Sequence, residues 1–142
     1  MLFSNIVVPY DGSKLASESL DKAIEFAKID PAIKISVIHV GAISPQTMHV
    51  SNSVYNQYKQ AVLEDANEAV KPVKLKLAEI PNSFEVIVKV GSPAKVILQQ
   101  AEELNCDLII MGSRGLSGFK EYLGSVSHSI TQQSSIPVLV MK

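Results

Sequence analysis

Apolar positions along this chain follow two alternating spacings, short continuous runs and repeats of three to four residues. Phe3 to Pro9 is a β-branched run, whereas Ser13 to Ile29 sets Leu20, Ile24 and Ala27 on one helical face. Pro31 punctuates, and Ile33 to Val40 is a second strand. Gly41 to Asn52 is polar, carries Pro45 and reads as a long loop. Tyr58, Val62, Ala66 and Ala69 predict a helix that starts near Val54. Pro72 should interrupt it before Val73 to Ala78 resumes, because a proline ring removes a donor and clashes with the preceding turn. Ser83 to Val90 is a third strand. Gly91-Ser92-Pro93 is a helix start, with Ser92 as N-cap and Pro93 in the first helical position. Ile97, Ala101 and Leu104 keep core spacing in that helix, which ends by Asn105. A fourth strand, Leu108 to Met111, leads into a glycine-rich loop. A last helix spans Ser125 to Gln133, and a fifth strand Ile136 to Met141.

Strands alternating with helices of this length imply βαβ units and a parallel sheet covered on both faces. No repeat, low-complexity tract or linker divides the chain, so residues 1–142 are expected to form one α/β domain. A chain of this length buries roughly 70% of the surface that it exposes when unfolded, enough to fold without disulfides. In open sheets of this kind, ligands settle at the C-terminal ends of the strands where the strand order reverses.

Charge and composition narrow the functions. Thirteen Lys and Arg against fourteen Asp and Glu leave a net charge of −1, with no global basic field for nucleic acid. The apolar runs are far too short to span a bilayer. Cys106 is the single cysteine, and no secretory or transit pattern is present, so a reducing, cytoplasmic setting is expected.

The richest segment is Asp107 to Ser127, in which a strand runs into glycines 112, 115 and 118 and then a helix that opens with Gly124-Ser125. Glycines let backbone amides converge on an anion, and a helix start adds unpaired N–H groups and a positive dipole end. Composition alone equally allows a flexible connection with an ordinary cap. Asp11, between the first strand and a helix, is a natural helix cap. Arg114 is the only arginine, either a solvated charge or a phosphate partner.

The wording of these segments resembles the universal stress protein family. Met111-Gly112-Ser113-Arg114-Gly115, Gly124-Ser125-Val126-Ser127, Ile136-Pro137-Val138-Leu139-Val140 and, at the start, Ile6-Val7-Val8-Pro9-Tyr10-Asp11-Gly12-Ser13 carry the likeness, which extends from Ile6 to Met141. It implies a Rossmann-like five-stranded parallel sheet in the order 3-2-1-4-5. It also implies that ATP or AMP is bound by Pro9, Asp11, Val40, Met111, Gly112, Arg114, Gly115, Gly118, Gly124, Ser125, Val126 and Ser127. Pro9 and Val40 would meet the base, and Asp11 would approach Mg²⁺. The family's nucleotide-binding branch spaces its second and third glycines nine residues apart. Here eight, Leu116 to Leu123, separate Gly115 from Gly124.

Other chemistry finds little support. His39, His49 and His128 are scattered without metal-ligand spacing. There is no Walker sequence and no Gly-x-Ser-x-Gly elbow around Ser113. Cys106 reads as an inert thiol, and Lys71, Lys74 and Lys76 as a solvated face. Three functions remain open: a nucleotide-dependent regulatory protein with an unidentified downstream partner, a family member that binds no nucleotide and serves as a dimeric module, and a slow ATP hydrolase. The terminal strand is apolar and would form a sheet edge. A homodimer paired through Ile136, Val138, Leu139, Val140 and Met141 is therefore expected.

Overall fold

The computed structural model describes residues 2–43, 50–115 and 123–142. The elements are β1 (Asn5–Pro9), α1 (Lys14–Ile29), β2 (Lys34–Ala42), α2 (Asn52–Ala69), α3 (Lys71–Leu77), β3 (Phe84–Gly91), α4 (Pro93–Glu103), β4 (Leu108–Gly112), α5 (Ser125–Gln133) and β5 (Val138–Met141). The strands form one parallel sheet in the order β3-β2-β1-β4-β5, as the family likeness implies.

The continuous apolar runs have their cause in burial on two faces. Ile6, Val8, Ile35, Val37, Leu108 and Ile110 pack with Leu20, Ala23, Ile24 and Ala27 of α1 and with Val73 and Leu77 of α3. Val7, Ile38, Ile109 and Met111 point the other way, against Ile97 and Ala101 of α4 and Ile130 of α5. Successive strand side chains alternate between faces, so a run such as Ile6-Val7-Val8 serves both layers.

Local chemistry sets the element ends. The Ser13 hydroxyl accepts from the Ala16 amide (3.1 Å) and caps α1. Helix α2 ends at Ala69 and Val70 joins it to α3, which starts at Lys71, so Pro72 lies in the first turn of α3 instead of between the two helices. Ser92 sits at the N-cap of α4 as expected, but its side chain makes no capping hydrogen bond; Pro93 occupies the first helical position. Helix α4 stops where Asn105 takes a positive φ of 53°. All five strands differ from their expected spans by one or two residues at an end: β1 begins at Asn5, β3 runs from Phe84 to Gly91 and β4 extends to Gly112, and in β2 and β5 the cause is visible. β2 continues to Ala42 because Gly41 and Ala42 still pair with Val90 and Gly91 of β3. β5 begins at Val138 because the Ile136 amide is drawn aside to the Ser134 hydroxyl (3.1 Å) and Pro137 has no amide proton.

At the opposite end of the sheet, Asp107 fastens β1 to β4. Its carboxylate accepts from the Ser4 amide and hydroxyl, both at 2.8 Å, and from the Asn5 amide at 3.0 Å. Along β5, Ile109 donates to the Pro137 carbonyl (3.0 Å) and Ser113 to that of Met141 (2.7 Å). In a parallel ladder alternate residues face the same neighbour, so Leu139 also turns its peptide groups inwards. Val138 and Val140 present theirs at the open edge.

Candidate functional site

The sheet order reverses between β1 and β4, and the chain leaving both strands opens a cleft there. Its volume is about 510 Å³, and it lies on the α4 and α5 side of the sheet. One half is apolar, built from Pro9, Ile38, Val40, Ala42, Pro93, Ile97 and Met111. Period-two alternation brings Ile38, Val40 and Ala42 to the same side of β2. The other half consists of Gly112, Arg114, Gly115, Gly124, Ser125, Val126 and Ser127, with Asp11 between the halves. All the nucleotide-site residues expected from the sequence line this one cleft except Gly118, which lies outside the described residues.

The glycines are where backbone comes closest to its surroundings. A methyl group on Gly112 would stand 2.7 Å from Leu15 Cβ, and one on Gly115 would stand 2.6 Å from Asp11 Oδ2. On Gly124 it would lie 3.2 Å from Arg114 Cα. Gly112 thus lets the end of β4 pack on α1, Gly115 lets the loop approach the Asp11 side chain, and Gly124 lets the α5 start pack on the loop backbone. The Ser113 carbonyl fastens the junction by accepting from the Gly124 amide and the Ser127 hydroxyl, each at 2.6 Å.

The geometry corrects two capping roles. Asp11 does not cap α1; its Oδ1 accepts from the Ser13 amide (2.9 Å), closing a turn in which Gly12 takes φ +83°, and Ser13 is the cap. Ser125 does not cap α5 either. Gly124 is the N-cap and Ser125 the first helical residue. The Ser127 hydroxyl is buried and spent on Ser113 and on the Gly124 carbonyl (3.1 Å), which leaves it an acceptor face only. Arg114 is half-buried, with its guanidinium 3.3 Å from the Ser113 hydroxyl.

Sequence reasoning missed Tyr10, Ala16, Ile38, Ala42, Pro93, Ile97 and Leu123 as cleft residues. Ile38 and Ala42 were within reach, since they share a strand face with Val40. Pro93 and Ile97 were not, because nothing local indicates which helix roofs the switch point. His39 Nδ1 lies 2.6 Å from the Tyr10 carbonyl, as suits a satisfied strand residue, and His128 is exposed on α5. Burial, with Asp107 next to it, pushes the Cys106 thiol up to about 11, in keeping with an inert group. Among the described residues no three His, Cys, Asp or Glu side chains gather as a metal site, and no helix is long and apolar enough to cross a membrane.

Fold and cleft together define an open, doubly wound α/β protein with a glycine-lined cleft at its switch point. The universal stress protein family model matches residues 2–142, and the chain belongs to that family. It is 35% identical to universal stress protein YxiE of Bacillus subtilis, over 99% of this chain and all of that one. It is also similar to the solved structure of MJ0577, a universal stress protein of Methanocaldococcus jannaschii, with a TM-score of 0.89 and 29% identity over 100% of this chain and 97% of that one. A universal stress protein solved in complex with cAMP matches with a TM-score of 0.62 and 27% identity, over 99% of this chain and 98% of that one.

Proposed function

We propose that this protein binds an adenine nucleotide, ATP or AMP, in the switch-point cleft and acts in a stress response as a nucleotide-dependent regulatory homodimer. The observation that carries the reading is that Gly112, Gly115 and Gly124 line one half of the cleft, facing an apolar half of suitable size for a base. The relative in complex with cAMP supports an adenine nucleotide as the ligand class. Val40 and Pro9 would pack on the base. The amides of the loop, the Arg114 guanidinium and the hydroxyl of Ser125 would hold phosphate, with Gly118, Val126 and Ser127 completing the enclosure. Asp11 Oδ1 is taken by Ser13, so Oδ2 is the atom left for Mg²⁺. An ion there would neutralise charge between that carboxylate and a phosphate.

The spacer of eight residues between Gly115 and Gly124 is compatible with this reading, because the Ser113 carbonyl, next to Gly112, ties the start of α5 to the end of β4 through Gly124 and Ser127. Dimerisation through β5 has its own support in the position of that strand at the sheet edge, with Leu139 37% exposed. Calorimetry with ATP and AMP in the presence of Mg²⁺ tests the nucleotide reading, together with analysis of the denatured protein for co-purified nucleotide. Ser125→Ala is expected to weaken ATP binding by about 1.5 kcal/mol through one charge-assisted hydrogen bond. Absence of any binding at millimolar nucleotide refutes the reading.

A further inference from the structure

Arg114 and Gly115 form part of a second cleft, of about 320 Å³, whose far wall is the first turn of α1. The two clefts differ in charge. Among the described residues, Arg114 in the switch-point cleft is balanced by the carboxylate of Asp11, the only other charged residue lining it. In the second, among the described residues, Lys14, Arg114 and Lys142 converge with a single side-chain carboxylate, Glu18. Lys14 is not tied down. Its Nζ is 3.9 Å from Glu18 Oε1 and its side chain is 89% exposed, so it can turn to a stronger anion with little loss.

A nucleoside monophosphate needs no more positive charge than the cradle and Arg114 supply. Each further phosphate adds negative charge beside Asp11, and among the described residues the further cations that share a cleft with Arg114 and Gly115 are Lys14 and Lys142. We infer that this basic cleft receives the distal phosphates of a nucleotide whose first phosphate lies in the glycine cradle, and that Lys14 and Lys142 thereby select a triphosphate over a monophosphate. The inference rests on the nucleotide reading above and deepens it by naming what sets the preference among adenine nucleotides. Arg114 is the hinge of the arrangement, since it faces both clefts.

The test is calorimetric titration of the wild type, Lys14→Met, Lys142→Met and the double variant with AMP and with ATP, at low and high salt. AMP affinity should stay within about twofold throughout, while each substitution should weaken ATP about fivefold, the upper range for an exposed ion pair. High salt should shrink the ATP-to-AMP ratio of the wild type and leave that of the double variant nearly flat. Lys14→Arg should retain the wild-type ratio. If the wild type binds AMP and the ATP-to-AMP ratio is the same in all variants, the inference is overturned and the nucleotide reading stands. If neither nucleotide binds, both fall. Pyrophosphate that binds through Lys14 and Lys142 without competing with ATP would identify an independent anion site, and that too overturns the inference.

Discussion

Gly112 and Gly115 belong to the same motif, yet the structure predicts opposite consequences for replacing each by alanine. At position 112 the added methyl would meet Leu15 Cβ at 2.7 Å and the Arg114 carbonyl at 3.3 Å. Carbon atoms rest at about 3.5–4.0 Å, so close to 1 Å of separation must be created. Leu15 Cβ cannot swing aside, because it is bonded directly to the α1 backbone and is buried. Helix and strand have to part, and overpacking of this sort costs about 1–3 kcal/mol. We expect about 2 kcal/mol for Gly112→Ala, or a fall in Tm of roughly 8 °C for a chain of this size. At position 115 the obstacle is Asp11 Oδ2, the end of an exposed side chain that can rotate away. Rotation gives up the Asp11–Ser13 hydrogen bond, about 1 kcal/mol, against a gain of about 0.4–1 kcal/mol from restricting the unfolded chain. Gly115 has no positive φ to forbid alanine. Gly115→Ala should therefore fall within about 0.5 kcal/mol of wild type. Urea unfolding of both variants without nucleotide measures the contrast. Equal destabilisation, or a Gly112→Ala protein as stable as wild type, would refute the packing argument.

Further outcomes are expected at other sites. Burial raises the Asp107 carboxyl, but the hydrogen bonds from the Ser4 and Asn5 amides and the Ser4 hydroxyl outweigh it and hold the group below its ordinary range. Its contribution to stability is thus complete above the unfolded value of about 3.9 and disappears as pH falls through the lower folded value. Asp107→Asn should flatten that part of an acid-unfolding profile, and an unchanged slope would count against the clamp. If β5 pairs with its copy, Val140→Pro removes an outward amide and should yield monomers by light scattering. Leu139→Pro, whose amide faces β4, should instead lower stability. The thiol of Cys106, raised to about 11, should alkylate far more slowly at pH 8 than in the unfolded chain. ATP turnover should remain below about 1 s⁻¹, since among the described residues no general base other than Asp11 lines the cleft; a faster rate abolished by Asp11→Ala would demand an enzymatic function.

Much of the architecture was legible because its causes are local. Apolar runs marked all five strands, and α5 begins and ends at the residues its pattern indicates. Strand order came from family likeness alone, since no spacing within the chain determines which strands are neighbours. The glycine half of the cleft could be read because it comes from one stretch of sequence rich in glycine. The apolar half is assembled from β2 and α4, far apart in sequence, and only the topology brings Ile38 and Ile97 together. Capping roles were misread for a related reason. Asp11, Ser13, Gly124 and Ser125 are all competent caps, and the choice falls to whichever residue the turn geometry leaves in extended conformation.

The doubly accepting carbonyl of Ser113 separates the shape of the cradle from the length of chain strung across it. Contracting the segment between Ser113 and Gly124 by one residue alters its closure entropy by roughly 0.1 kcal/mol, whereas each hydrogen bond at its base is worth about 1 kcal/mol. Counting residues between two glycines is thus a poor ruler for the distance between them. What a lineage must preserve is the knot at Ser113, Gly124 and Ser127.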